Sequence, residues 1–183
     1  DRNGYIDDCH GWDFGYNDAS PYNSGLDPHG THVAGIIAAR RDGPGVAGVA
    51  PEATIMDLSV AIENSSGQTV IPTSGVTAAI YYATANGADV INMSFGADST
   101  NRVEAEAIDY ARGAGVTLIA AGGNEGARLV MYPAGYPGVL GVGATDFDNK
   151  RASFSNRGPH IDVVAPGQGI LSTYNTRAYN WTS

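Results

Sequence analysis

A chain of 183 residues, 43% hydrophobic and 16% charged, is one domain's length with enough apolar content for a buried core, which argues against disorder. Its 19 acidic and 10 basic residues give a formal charge of −9, which excludes a basic nucleic-acid surface, and no apolar run approaches the ~20 residues of a membrane span. The excess carboxylates suit an extracellular protein, or one that holds calcium through oxygen ligands. The single cysteine, Cys9, cannot form an internal disulfide and is expected to be a packed thiol.

Asp1 to Gly30 is rich in Asp, Asn, Gly and Tyr and reads as loop. HGTHVAGIIAARR, from His29, predicts a helix ending on Arg40 and Arg41, favourable charges at a helix C-terminus. Asp42 to Pro51 is a turn-rich connector, and ATIMDLSVAI (53–62) a strand-like run. SGVTAAIYYATANGA (74–88) predicts a helix capped by Ser74 or Thr73, with Gly87 just past its end. DVINMS (89–94) is a buried strand. NRVEAEAIDYARGAG (101–115) is a helix with Val103, Ala107, Ile108 and Ala111 on one face, stopped by Gly113 or Gly115. VTLIAAG (116–122), PGVLGVGAT (137–145) and IDVVAP (161–166) are further strands.

Strand and helix in alternation predict right-handed crossovers and an α/β fold: a mostly parallel central sheet with helices on both faces, three layers in all. Neither repeat nor linker divides the chain. In such sheets chemistry collects at the carboxyl ends of strands. That rule marks Ser94-Phe95-Gly96, Gly122-Gly123-Asn124 and the loop after IDVVAP.

His29 stands at the start of the first helix and His32 one turn on. An imidazole serves as a general base near neutral pH because its ordinary pKa is about 6.5. Two histidines three apart can also share a helix face as zinc ligands, or be structural. These residues by themselves leave the three readings open.

HGTHVAGIIAA resembles the histidine motif of the subtilisin-like serine proteases, the subtilases. Five more blocks resemble that family in the same order: GVAGVAP (45–51), VINMSFG (90–96), AAGGNEG (120–126), YPAGYPGVLGVGATD (132–146) and FSNRGPHIDVVAPG (154–167). The resemblance implies a partial subtilase catalytic domain over 1–183, incomplete at both ends, with 1–28 an acidic calcium-loop-like segment and 29–183 the core. It implies that His29 is the base of a Ser-His-Asp triad, with His32 a structural helix residue, and that Asn124 is the side-chain donor of an oxyanion hole. Ser94, Phe95 and Gly96 would form one wall of the pocket for the substrate residue before the scissile bond (P1), and Ala121, Gly122 and Gly123 the other. Glu125 would stand at the rim, where it could attract a basic P1 side chain, although large apolar P1 residues are expected to be preferred. Ser65-Ser66-Gly67 falls where the family has the opposing edge strand. Tyr132-Pro133 resembles its cis-proline position.

Calcium is the cofactor the resemblance implies, in a stabilising role. One set of ligands is Asp1, Asn3, Asp7 and Asp8; a solvated acidic turn is the alternative there. A second is Asp42 with the main-chain oxygens of Arg40, Pro44 and Val46. No segment fits the family's strand ending in the triad Asp. At the other end, Tyr179 to Ser183 resembles the run that precedes the Gly-Thr-Ser of the nucleophile. In that register Ser183 lies just before the motif. Taking Ser183 as the nucleophile itself would put Trp181 where the family has glycine.

The expected function is therefore a secreted, monomeric serine endopeptidase acting on polypeptides through an acyl-enzyme, with a propeptide among its expected partners. That activity belongs to the parent chain, and these 183 residues alone are expected to be inactive and marginally stable. A peptide-binding pseudoprotease is the alternative.

Overall fold

The computed structural model describes residues 3–21 and 28–174 and the backbone of 179–182. They group into two compact units, Asp1–Ala79 with Leu171–Trp181, and Ile80–Ile170 with Thr182–Ser183.

In the first unit the expected loop contains a short strand. β1 (Trp12–Asp13) pairs in parallel with β2 (Leu58–Ser59), Trp12 against Leu58. Trp12 is buried, with Tyr5 edge-on to it at 5.0 Å. Asp13 is fully buried, and its Oδ1 accepts the N–H groups of Gly15 and Tyr16 at 2.7 and 2.9 Å. Cys9 is exposed, not packed.

Helix α1 (His29–Ala38) stops three residues short of Arg41. Its last carbonyls are taken by the returning chain, Val49 N–H bonding Ile36 O at 2.9 Å and Ala50 N–H bonding Ile37 O at 2.8 Å. The GVAGVAP segment thus acts as a backbone C-cap, and both arginines lie beyond it, exposed. The strand-like run 53–62 breaks after Ser59. β3 (Ile62–Glu63) then turns back on β4 (Thr69–Val70) as an antiparallel hairpin. Ser65-Ser66-Gly67 is the hairpin tip and not an edge strand. Asn64 Oδ1 accepts Ser66 and Gln68 N–H there, and Gly67 has φ +74°.

Helix α2 (Thr73–Ala85) begins at Thr73, so Pro72 precedes it in place of a Ser or Thr cap. It ends as the sequence predicts. Gly87 has φ +79°, its N–H bonds Thr84 O, and Ala88 N–H bonds Ala83 O, which satisfies the last orphan carbonyls.

The second unit is built on a four-stranded, wholly parallel sheet of β5 (Val90–Met93), β6 (Thr117–Ala121), β7 (Val139–Thr145) and β8 (Val163–Pro166), in that order. Burial concentrates on the middle strands; Leu118 is 2% exposed, whereas Val90 and Val164 on the outer strands are 53% and 56% exposed. Helix α3 (Arg102–Gly113) connects β5 to β6, with Ala107, Ile108 and Ala111 buried. Its stop is Gly115, by the same pair of bonds that closes α2. Val103 is exposed despite its spacing, because hydrogen bonds rather than burial fix that first turn. Asn101 Oδ1 accepts the N–H groups of Val103 and Glu104, and the Tyr136 hydroxyl accepts Asn101 N–H at 2.8 Å. Late in the chain, β9 (Ile170–Thr173) pairs with β10 (Tyr179–Thr182).

Candidate active site

Paired parallel strands open their carboxyl ends at one edge, so the residues after β5 and β6 are neighbours. Between them lies a cleft of about 170 Å³ lined by Ser94, Phe95 and Gly96 on one side and Ala121, Gly123, Asn124 and Glu125 on the other. The turn before β7 supplies Met131, a lining residue that sequence reasoning missed. It is brought in by two backbone bonds, Ala97 N–H to Tyr132 O at 2.9 Å and Tyr132 N–H to Ala97 O at 2.8 Å. The Tyr132–Pro133 bond there is cis. Gly122 belongs to the same loop but is buried outside the cleft. A Cβ there would run into Ile161 Cδ1, so the wall depends on its lacking a side chain.

Asn124 and Glu125 are exposed at the mouth. Glu125 Oε2 accepts the backbone N–H of Asn124 at 3.0 Å and Nδ2 of Asn156 at 2.6 Å. One oxygen of the carboxylate predicted to reach for a basic substrate is therefore engaged by its own loop and by Asn156, while the residue stays exposed in the cleft lining. Asn156, 1% exposed, is a second residue the sequence reading missed; the only signal was its place in FSNRGP, opposite in the fold to AAGGNEG.

Across from α3, Tyr136 ties the turn to the helix. Its hydroxyl lies 3.0 Å from both Asn101 O and Glu104 Oε2. Burial holds the Glu104 carboxyl above its usual range, and the Tyr136 hydroxyl offsets this only in part.

In the first unit, His29 is the first residue of α1 and is exposed, while His32 is buried at 4%. The hydroxyls of Ser172 and Thr173 on β9 donate to the carbonyls of His32 and Thr31 at 2.7 and 2.8 Å. Gly35 permits this approach, since a Cβ there would meet both hydroxyls.

Among the described residues no group of three or more His, Cys, Asp or Glu is placed to hold a metal, so neither histidine gains zinc partners. Of the calcium expectations, Asn3 and Asp8 come together, Asn3 Nδ2 donating to Asp8 Oδ2 at 2.6 Å; Asp7 is exposed with φ +61°. Their oxygen chemistry fits calcium. Arg40, Asp42 and Pro44 lie exposed in the connector and Val46 is half-buried. Asp1 and Ser183 lie outside the described residues.

The subtilase family profile matches residues 1–183. The chain belongs to the subtilase family. It is 42% identical over 162 residues to subtilisin DY of Bacillus licheniformis, covering 86% of this chain and 58% of the relative. It is 41% identical over 170 residues to thermitase of Thermoactinomyces vulgaris, covering 92% and 59%. A solved cold-adapted subtilisin-like serine proteinase superposes with a TM-score of 0.81 at 34% identity, covering 94% of this chain and 60% of that one. The subtilase thus spans about three fifths of each of these relatives, and its α/β architecture is the one expected from the sequence.

Proposed function

We propose that the protein containing this chain is a serine endopeptidase. The observation that carries the reading is the cleft at the ends of β5 and β6, with its small-residue walls and an amide side chain at its mouth. Backbone groups along Ser94–Gly96 offer an extended peptide an edge to pair with, and the small residues Ala121 and Gly123 leave room for a P1 side chain. Asn124 Nδ2 donates to the oxygen of the scissile carbonyl as it becomes an oxyanion, a neutral donor for a charge that exists only in the transition state. His29 takes the proton of the serine hydroxyl as its oxygen attacks the carbonyl carbon, then returns it to the leaving amine. The acyl-enzyme so formed is hydrolysed by a water that His29 deprotonates in turn.

None of the described residues is assigned the nucleophile or the triad aspartate, so the 183-residue polypeptide alone is expected not to cleave peptides. Polypeptide substrates and an extracellular setting follow from the same reading. Among the described residues no helix is long and apolar enough to cross a membrane. Calcium at the Asn3–Asp8 turn is part of the proposal. Chelation should lower the Tm of the intact protein, and an unchanged Tm would remove the ion from the account.

The test is labelling by a fluorophosphonate, which reacts with an activated serine. The chain extended at both ends should label, and His29→Ala should abolish the reaction. Labelling that survives His29→Ala would end the assignment, and peptide binding with no labelling would establish the pseudoprotease.

A further inference from the structure

The loop bearing Asn124 is held from outside by one buried side chain. Asn156 spends its amide on this loop alone: Oδ1 accepts the N–H groups of Glu125 and Ala127 at 3.1 and 3.0 Å, and Nδ2 donates to Glu125 Oε2 at 2.6 Å. Its backbone N–H bonds Gly123 O at 3.0 Å. The residues on both sides of Asn124 are thereby fixed, and Glu125 Oε2 closes the circuit by accepting Asn124's own N–H. Gly123, at φ +101°, is pressed so close that a Cβ would collide with Asn156 Nδ2 and Met131 Cγ. The neighbouring chain supports the same loop. Gly126 N–H bonds Phe154 O at 2.6 Å, and Arg157 N–H bonds Ala127 O at 3.0 Å. His160 Nε2 lies 3.1 Å from Gly122 O; since a carbonyl only accepts, Nε2 carries the hydrogen.

A buried amide with this many partners is expensive to remove and holds one geometry. It is absent from the cleft lining, so it acts through its neighbours. We propose that Asn156 is a positioning residue for the reaction, setting the oxyanion donor Asn124 through a relay of Asn156, Glu125 and Asn124. The same relay sets specificity. While Asn156 engages the Glu125 carboxylate, that charge is directed into the loop and discriminates weakly for a basic P1 side chain. Without Asn156, the carboxylate turns to the cleft and favours Lys. This inference rests on the protease reading and on Asn124 as the oxyanion donor.

The experiment is a double-mutant cycle in the full-length protease, with kcat and KM measured on peptides having Phe or Lys at P1. Active sites are counted by serine labelling and folding is checked by calorimetry. Asn156→Ala should lower kcat about 10- to 100-fold on the Phe substrate with KM little changed, and raise the Lys-to-Phe ratio of kcat/KM several-fold. In an Asn124→Ala background it should cost less than about threefold, because the relay then has nothing to position. An unchanged kcat in folded Asn156→Ala, or the same loss in both backgrounds, overturns the proposal. If Asn156→Ala does not fold, Glu125→Ala at its exposed position runs the same cycle. Non-additivity with Asn124→Ala supports the relay and additivity overturns it. If Asn124→Ala by itself leaves kcat intact, the oxyanion assignment is what has failed, and the relay falls with it.

Discussion

Asn124 and His29 are supported in opposite ways. Asn124 lies in an irregular loop, yet a buried amide and the backbone of residues 154–157 fix the chain on either side of it. His29 lies in a regular helix, yet the residue before it is Pro28, whose ring nitrogen has no hydrogen and whose side chain caps nothing. Helix α3 shows what α1 lacks, for Asn101 caps two of its first N–H groups. The support of α1 comes from elsewhere: β9 hydroxyls on its carbonyls and a backbone cap at its far end. Secondary structure is thus a poor guide to which functional residue is held firmly. The loop is preorganised within its own unit, and the histidine depends on what its helix is docked against.

The largest effect expected from this contrast is on chemistry. In the full-length protein, on the proposed activity, Asn124→Ala should lower kcat by about 10²- to 10³-fold with KM nearly constant, a scale set by subtilisin, itself a member of this family. A loss appearing in KM instead would make Asn124 a ground-state binding residue.

The next expected effect separates the two kinds of support. Gly123→Ala and Gly35→Ala each place a Cβ against packed atoms, but only Gly123 has positive φ. Gly123→Ala should cost about 2–4 kcal/mol in thermal or denaturant unfolding, from strain and collision together. Gly35→Ala should cost about 1–2 kcal/mol, because alanine's better helix propensity, about 1 kcal/mol, offsets part of its clash with Ser172 and Thr173. A Gly35→Ala protein more stable than wild type would show that the β9 contact yields easily, and that α1 is less firmly anchored than its hydrogen bonds suggest.

The smallest effect concerns the capped helix. One phenolic hydrogen of Tyr136 faces two acceptors, Asn101 O and Glu104 Oε2. A protonated Glu104 relieves that shortage by donating to the phenol oxygen. Burial raises this carboxyl in the folded state, so the native protein holds the proton more tightly than the unfolded chain. Stability from this group is full below the unfolded carboxyl range and falls as pH rises through the folded one. Glu104→Gln, a permanent donor, should match wild type at acid pH and exceed it by about 0.5 kcal/mol at neutral pH, a small gain because the site is half-open to solvent. A neutral-pH loss would mean that the field of the α3 N-terminus, which favours an anion, outweighs burial.

The parallel sheet and its crossover helices were legible because their signals are local: β-branched runs, helical spacing, and glycines at 87 and 115 where φ must turn positive. The cleft followed from the strand-end rule, which named five of its eight lining residues, Asn124 among them, and the resemblance added Ala121 and Glu125. What escaped depends on distant partners. β1 is two residues in a polar stretch, made a strand by chain 46 positions away. The end of α1 is decided by residues 48–50 and not by its arginines. Asn156 looks like any loop asparagine until folding buries it beneath Gly123. Val103 erred the other way, since periodicity marks a face without saying how far along the helix that face is covered.

The most direct measurement is a crystal structure of the full-length protein with a peptide boronate, whose tetrahedral adduct on the proposed nucleophilic serine mimics the reacting carbonyl. The account predicts one boronate oxygen about 3 Å from Asn124 Nδ2, and the His29 ring nitrogen in hydrogen-bond reach of the serine oxygen. An adduct that leaves either side chain beyond reach of the tetrahedral centre would contradict it.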